Sequence, residues 1–310
     1  LSGQRVRRIT GLRSRVFKEN RYSRPQARFS TTLKVASVNV GTLTGKSVEL
    51  VDMLSRRKID ICCIQETRWK SEGIRMVNST SGKYKLFWCG QKSGHKGVAI
   101  AMKEELAENV MKVEKFTSRL MLVNIHVGKD IITVLSAYAP QSGESEETKD
   151  QFWSLFTDIM NKIPMNHMVI IAGDLNGHVG DNADGFEEVH GNFGFGNRNN
   201  DGLRILEFAE SHKLCILNTY FKKPVEHRIT YKSGNVTSQI DYILVRKDNR
   251  KGCVNVKVIP GEECLAQHRL LIAILKVEEE KCKPKNWPVK IKVWKLQDVV
   301  CRRKFQEEVR

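Results

Sequence analysis

The stretch MVIIAGDLNG, residues 168–177, decides the fold class of this 310-residue chain. Its first five residues are apolar, which is the length and character of a central strand that is buried on both faces. Glycine, aspartate and asparagine follow, and they predict a loop in which polar side chains are presented at the end of the strand. The same pattern, an apolar run that ends in a polar or glycine-containing segment, recurs along the chain.

The recurring apolar runs predict many strands and few helices. Strands are predicted at residues 33–39, 60–65, 84–89, 97–102, 120–126, 131–137, 168–172, 214–218, 238–245 and 270–275, and helices at 47–57, 146–163 and 202–211. A simple parallel sheet uses one helix for almost every strand, so this ratio favours two sheets. The expected fold class is α/β, a four-layer α/β sandwich in which two mixed β-sheets pack face to face and are flanked by helices. We expect this domain to span residues 31–278.

Polar residues stand where the predicted strands end. The set comprises Asn39, Glu66, Tyr138, Asp174, Asn176, Asp241 and His268. A rigid sheet can bring such side chains into one pocket, and carboxylate and amide oxygens are the ligands that Mg²⁺ prefers. Each residue taken singly has an ordinary explanation, since asparagine and aspartate between glycines also form turns and a single histidine is usually a packing or surface residue.

The order of these residues carries more information than any one of them. The chain contains SVNV at 37–40, IQET at 64–67, AYAP at 137–140, GDLN at 173–176, QIDYIL at 239–244 and QHR at 267–269. Six ordered motifs resemble the apurinic/apyrimidinic-endonuclease-like branch of the endonuclease/exonuclease/phosphatase superfamily. More narrowly, ICCIQETRW at 61–69 and VIPGEEC at 258–264 resemble the endonuclease part of non-LTR retrotransposons of the RTE type.

The resemblance implies a task for each residue of the pocket. Glu66, helped by Asn39, would hold Mg²⁺, with Mn²⁺ as an alternative, and the metal would neutralise phosphate charge. The other five are the implied catalytic residues. Asp174 would exchange a proton with the nucleophile or the leaving oxygen, Asn176 would orient the phosphate, and Tyr138 would stabilise charge. His268 would contact the scissile phosphate or help to activate water, and Asp241 would orient His268 or its surroundings. The implied reaction is the nicking of DNA, which in a retrotransposon exposes a 3′ hydroxyl as a primer.

One position departs from the family pattern. The family usually has aspartate immediately before the final histidine, whereas this chain has Gln267. Glutamine can form hydrogen bonds, but it cannot supply the negative charge that raises the basicity of an imidazole or assists a metal. Reduced activity is one consequence to expect, although Asp241 remains as a carboxylate partner for His268.

The net charge of +17 is concentrated at the two ends of the chain. Residues 1–30 carry +8 and residues 281–310 carry +7, which leaves +2 for the middle. Basic arms around a nearly neutral body fit contact with DNA, although they are equally typical of solvated tails. The N-terminal arm, residues 1–30, has the composition of a targeting segment, for which we expect nuclear localisation with mitochondrial import as an alternative. Residues 279–310 are expected to form a basic linker and a truncated helix, beyond which a retroelement would continue into a reverse transcriptase.

Residues that border a DNA groove are expected on both sides of the pocket. Arg68 and Lys70 follow the metal glutamate, and Thr230, Tyr231 and Lys232 precede the strand of Asp241. Surface charge and aromatic core packing are the alternative explanations. RNA or a reverse transcriptase region are further possible partners of a longer protein, and the sequence does not indicate an oligomeric state.

Composition excludes several other classes. No run of about 18 apolar residues occurs, so a membrane span is not expected. The eight cysteines include no CxxC pair, which argues against structural zinc and favours a reduced, intracellular protein. Two rival functions stay open: a phosphatase or sphingomyelinase of the same fold, and a catalytically weak or inactive domesticated DNA-binding or interaction protein. The basic arms argue against the first, and Gln267 favours the second.

Overall fold

The computed structural model describes residues 30–262 and 265–278, together with four helical positions near the carboxyl end: Val299, Arg302, Arg303 and Glu307. The predicted N-terminal arm lies outside the described residues except for Ser30. The predicted linker and truncated helix at 279–310 lie outside them except for those four positions.

Within the described residues the chain forms fifteen strands and four α-helices. In chain order they are β1 (Ser30–Asn39), α1 (Ser47–Arg56), β2 (Ile61–Gln65), β3 (Glu72–Asn78), β4 (Lys83–Cys89), β5 (Val98–Lys103), α2 (Glu104–Ala107), β6 (Val110–Thr117), β7 (Leu120–Val127), β8 (Asp130–Tyr138), α3 (Glu146–Lys162), β9 (Met168–Asp174), α4 (Asn200–Ser211), β10 (Leu214–Ile216), β11 (Tyr231–Ser233), β12 (Val236–Ser238), β13 (Asp241–Arg246), β14 (Cys253–Ile259) and β15 (Leu270–Glu278).

Thirteen of these strands form two mixed sheets. The first sheet has the order β14-β15-β1-β2-β5-β4-β3, and the second has the order β10-β13-β9-β8-β7-β6. One parallel pair lies inside each sheet, β1 with β2 and β8 with β9, while the remaining neighbours are antiparallel. Strands β11 and β12 form a separate hairpin.

The two sheets bury their inner faces against each other. Val35 and Ile100 of the first sheet and Val134 and Ile170 of the second belong to one apolar cluster between the sheets. The outer face of the first sheet packs under α1, through residues such as Leu54. The outer face of the second packs under α3 and α4, whose inward side chains include Phe156, Ile159, Ile205 and Leu206. The predicted four-layer sandwich is therefore confirmed.

The helices of the described residues include none that is both long and apolar enough to cross a membrane.

Candidate active site

Strand register aligns three of the predicted residues in one row of the second sheet. Asp174 ends β9, and it pairs with Tyr138 at the end of the parallel strand β8. On its other side Asp174 pairs with Asp241, the first residue of the antiparallel strand β13. In the first sheet Asn39 ends β1 and pairs with Gln65 of β2. Glu66 is therefore one residue beyond the end of the neighbouring strand.

Side-chain alternation turns this row towards the opposite sheet. In β9 Ile170 and Ala172 lie in the cluster between the sheets, whereas Val169 and Ile171 face the helices. Because side chains alternate with a period of two, Asp174 continues the inward series. The same phase in β1 brings Asn39 to the same side, after Leu33 and Val35.

Glu66 reaches the pocket by a change of backbone conformation. Gln65 faces inward beneath the pocket, where it donates to the hydroxyl of Ser136, so a continued strand would point Glu66 away. Its φ of 54° ends the strand in the left-handed region, which is uncommon for residues other than glycine. Such strain is often found at functional sites, where the surrounding structure holds it in place.

Four side chains form one hydrogen-bonded group at the mouth of the pocket. The Nδ2 amide group of Asn39 donates to Glu66 Oε1 at 2.8 Å and to Asp174 Oδ2 at 3.0 Å. The hydroxyl of Tyr138 donates to the same Glu66 Oε1 at 2.9 Å. Burial and the nearby carboxylates raise the pKa of Tyr138, so its phenol stays protonated. The Oδ1 atom of Asn39 accepts from the Gly41 N–H. This contact fixes the orientation of the amide, so that its Nδ2 faces the two carboxylates.

Arg68 reaches the other oxygen of Glu66. Its guanidinium NH2 lies 3.3 Å from Glu66 Oε2, and half of its side chain is exposed to solvent. Oε2 of Glu66 is thus paired with the guanidinium of Arg68, whose exposed side chain is free to change position.

His268 lies between two buried carboxylates. Its Nδ1 is 3.0 Å from Asp241 Oδ2, and its Nε2 is 3.8 Å from Asp174 Oδ2. Burial alone would lower the pKa of His268, but the carboxylates of Asp241, Asp174 and Glu66 raise it to about 9. The imidazole is therefore charged at neutral pH, with Nδ1–H donating to Asp241 and Nε2–H turned towards Asp174.

Among the described residues, Asp174 is the carboxyl group whose pKa is shifted furthest from its usual value. Burial and the negative charge of Asp241 raise its pKa to about 7, against the opposing effect of His268 and the hydrogen bond from Asn39. A carboxyl group that titrates near neutral pH can accept or donate a proton under physiological conditions.

Asn176 lies in the loop after Asp174, with a positive φ of 50°. Its backbone N–H donates to Asp174 Oδ1 at 3.1 Å, and its side-chain Nδ2 donates to the carbonyl oxygen of Ala139 at 2.9 Å. The loop therefore orients Asp174 and holds the amide of Asn176 beside the AYAP segment.

The hairpin of β11 and β12 lies beside the imidazole. The ring of Tyr231 meets that of His268 edge to face, with 4.9 Å between centroids, and Lys232 is exposed. Thr230 differs from the prediction that it borders a DNA groove. Its side chain is fully buried, and its Oγ1 accepts from the backbone N–H groups of Ile240 and Asp241. Thr230 thus positions the start of β13.

Gln267 points away from the pocket. Its Nε2 donates to the hydroxyl of Ser233 in the hairpin at 3.2 Å, and its backbone carbonyl accepts from the N–H of Lys232. The amide that stands in place of the usual aspartate therefore contacts the hairpin and not His268.

The donor set fits a hard divalent cation. The carboxylates of Asp174 and Asp241 each offer an oxygen within 4.8 Å of the other, whereas the charged imidazole of His268 has no free lone pair to offer. Oδ1 of Asp241 is buried and has no hydrogen-bond partner among the described residues, so this carboxylate oxygen is available to a cation. Glu66 adds a carboxylate at the mouth. Carboxylate oxygens suit Mg²⁺ or Mn²⁺, and these residues could hold either ion.

Arg119 is a residue of this site that the sequence analysis missed. It is buried beneath Tyr138, with its guanidinium carbon 4.9 Å from the ring centroid, and it donates to the carbonyl oxygens of Tyr138 and Ala139. The guanidinium of Arg119 also forms an ion pair with Glu144. No local pattern marks Arg119, because its partners lie about twenty residues along the chain.

Comparisons with known proteins agree with this geometry. The sequence profile described as the Endonuclease/Exonuclease/phosphatase family matches residues 36–262. Craniofacial development protein 2 of Bos taurus is 30% identical over 245 residues, which cover 78% of this chain and 40% of that protein. This chain thus spans less than half the length of that curated relative.

Solved structures show the same fold. An AP endonuclease from Archaeoglobus fulgidus superposes with a TM-score of 0.59 at 22% identity, covering 79% of this chain and 100% of that one. The endonuclease domain of TRAS1, a telomere-specific non-LTR retrotransposon, gives a TM-score of 0.54 at 18% identity, covering 80% and 100%. With its motifs in family order and its strand ends gathered into one pocket, the chain belongs to the Endonuclease/Exonuclease/phosphatase family.

Proposed function

We propose that this chain is a divalent-metal-dependent endonuclease that nicks phosphodiester bonds of DNA. The observation that carries the proposal is the convergence of Glu66, Asp174 and a charged His268 at one end of the sandwich. Proton exchange, phosphate binding and metal binding are the three capacities that phosphodiester hydrolysis needs, and these side chains supply all three.

His268 and Asp174 have complementary tasks in the proposed reaction. The imidazolium of His268 is fixed by Asp241 and offers Nε2–H to a phosphate oxygen, where negative charge builds up as the bond breaks. Asp174, with a pKa near 7, removes a proton from the attacking water. Asn176, held by its contact with Ala139, orients the phosphate.

Glu66 and its donors form the metal side of the site. A Mg²⁺ or Mn²⁺ ion held by Glu66 would neutralise charge on the scissile phosphate. Asn39 and Tyr138 both donate to Oε1 of Glu66, so they fix the direction of its carboxylate. When Arg68 leaves Oε2, that oxygen becomes free and its guanidinium can bind the DNA backbone.

DNA is the proposed substrate because cations surround the pocket. Arg68 and Lys70 lie on the side of Glu66, and Lys232 is exposed on the side of His268. The RTE-like stretches at 61–69 and 258–264 favour an origin in a retrotransposon, whose endonuclease nicks a target site for priming. In a longer protein, RNA or a reverse transcriptase region would be further partners.

The decisive test is the conversion of supercoiled plasmid into nicked circles with Mg²⁺. We expect Glu66→Gln and Asp174→Asn to slow nicking by at least about a hundredfold. Asp158→Asn is the matched control, since Asp158 is exposed on α3 and its loss removes the same charge. EDTA should abolish the reaction of the parent protein. A duplex with one abasic site, compared with an intact duplex, separates a repair-like preference from a target-site preference.

A second candidate function is DNA binding without turnover. It is favoured by Gln267, which replaces an expected carboxylate with an amide and contacts Ser233 instead of His268. If the parent nicks no faster than Glu66→Gln across a range of salt and metal conditions while still binding plasmid, the endonuclease proposal is wrong and this candidate replaces it.

A further inference from the structure

A pocket beside Arg68 has two aromatic walls that the chemistry described above does not use. It has a volume of about 340 Å³, and six residues line it: Thr44, Arg68, Trp69, Lys70, Arg75 and Trp88. Sites for small organic groups usually have volumes of about 300–1,000 Å³. The six residues define what we call the tryptophan pocket.

Backbone packing fixes the two indoles. Trp88 of β4 pairs with Gly73 of β3, and its ring lies where a side chain on Gly73 would be, because an added Cβ would come within 2.4 Å of the ring. Trp69 meets Trp88 edge to face, with 5.0 Å between centroids and an interplanar angle of 82°. Gly90 lies against the carbonyl oxygen of Trp69, where no Cβ would fit. The aromatic walls are therefore held in place before any ligand binds.

The charge of the tryptophan pocket has one sign. Its charged lining residues, Arg68, Lys70 and Arg75, are all cations, and all three are exposed. The neighbouring Glu72 points elsewhere, since its carboxylate is 3.7 Å from Lys115 Nζ. Packing of a protein core requires neither three cations nor a cavity, whereas an aromatic ligand that carries a phosphate matches both features.

Arg68 connects this pocket to the catalytic residues. It lines the tryptophan pocket and also pairs with Glu66 at 3.3 Å. A strand whose scissile phosphate lies at Glu66 would thus pass close to the pocket, because Arg68 contacts Glu66 and lines the pocket.

We infer that the tryptophan pocket binds one unpaired nucleotide next to the cleaved bond, with the base on the indoles and its phosphate on Lys70 and Arg75. The inference rests on the proposed function in taking DNA as the ligand. A base that is paired within a duplex cannot enter, so the pocket selects DNA that is locally melted or single-stranded at this position.

The test measures binding alone, in EDTA, so that catalysis cannot affect it. Fluorescence anisotropy compares the affinity of the full chain for a short labelled oligothymidylate with that for a strand of equal length and charge made of abasic residues. We expect the parent to bind the base-bearing strand about tenfold more tightly, which is the size of one base–aromatic stack. Trp69→Ala should remove this preference, and Trp69→Phe should keep most of it.

A second pair of variants does not touch the core. Arg75→Ala should weaken binding of the oligothymidylate severalfold and reduce the slope of its salt dependence by about one. Lys162→Ala, which removes an exposed charge at the end of α3, should do neither. Equal affinity of the parent for both strands, or parent-like binding of oligothymidylate by Trp69→Ala and Arg75→Ala, would overturn the inference. If the parent prefers the base-bearing strand but does not nick plasmid, the endonuclease proposal is wrong and the inference that the tryptophan pocket binds a nucleotide is supported.

Discussion

Asp241 and His268 lie 27 residues apart in the chain, and their side chains meet at 3.0 Å between Oδ2 and Nδ1. Asp241 also lies beside Asp174 in the neighbouring strand, so its charge acts on both groups in the same direction. It raises the pKa of His268 and that of Asp174.

Asp241→Asn should therefore shift the whole pH profile of nicking to lower pH. Activity needs ionised Asp174 and charged His268, and both pKa values fall when Asp241 loses its charge. We expect the acid limb to move below about 7 and the alkaline limb below about 9. Because Asp241 also fixes the imidazole of His268 through Nδ1, the maximal rate of the profile should drop by about a hundredfold. Initial nicking rates measured from acid to alkaline pH locate both limbs of the profile. If both limbs of Asp241→Asn stay where they are in the parent, the charge of Asp241 does not act on Asp174 and His268 as argued.

Gln267 should contribute little to turnover. Because its side chain is exposed and contacts Ser233, Gln267→Ala should leave the nicking rate within about twofold and the free energy of unfolding within about 0.5 kcal/mol. His268→Ala, one position further on, should abolish nicking and serves as the comparison. A large loss of activity in Gln267→Ala would mean that its amide turns into the pocket when DNA binds.

The central strands could be predicted from sequence, whereas three of the four edge strands could not; the fourth, β10, is buried throughout and was predicted. β9 and β2 are buried throughout and read as unbroken apolar runs. β3, β6 and β14 are edge strands of the two sheets, and their mixed exposure leaves no regular alternation, as Ile74 and Met111 illustrate by being more than half exposed. These three strands were not predicted for that reason.

The catalytic candidates could be found from the sequence because they lie at or near the ends of strands, but their contacts could not. Sequence order places Asn39 and Asp174 at strand ends, yet their hydrogen bond spans 135 residues. The orientation of the Asn39 amide, the burial of Thr230 and the support from Arg119 depend on such distant partners. Only the folded chain brings these groups together.

Arg68 and a metal ion should compete for Glu66. Both are attracted to Oε2, so Arg68→Gln should lower the Mg²⁺ concentration for half-maximal nicking severalfold while it raises the KM for DNA. Lys92→Gln is a control, since it removes an exposed cation of the same region that has no contact with Glu66. Metal titrations at fixed DNA concentration measure the first effect. An unchanged or higher Mg²⁺ requirement would show that the guanidinium does not compete.

Arg119 should stabilise both the fold and the position of Tyr138. Arg119→Met would remove the guanidinium donor from the carbonyl oxygens of Tyr138 and Ala139, the second of which keeps only Asn176, and would leave Glu144 without its closest cation. We expect a loss of about 3 kcal/mol. Arg119→Lys keeps the charge but not the planar guanidinium. Its free energy of unfolding should therefore lie between those of the parent and of Arg119→Met. Urea denaturation measures the free energy of unfolding, and a loss below about 1 kcal/mol in Arg119→Met would contradict this role.

His190 should make stability depend on pH in the loop that follows Asn176. It is fully buried, its Nδ1 accepts from the Asn192 N–H, and its Nε2–H donates to the carbonyl oxygen of Gly180, so the fold requires the neutral ring. Burial lowers its pKa from 6.5 to about 4. Between pH 6.5 and about 4 the unfolded chain therefore binds a proton on His190 that the folded chain does not bind. The free energy of unfolding falls as the pH drops through this range, by about 2 kcal/mol at pH 5. His190→Gln lacks the titrating ring, so the difference between its denaturation curves and those of the parent isolates this contribution; parallel pH dependence of the two proteins would refute it.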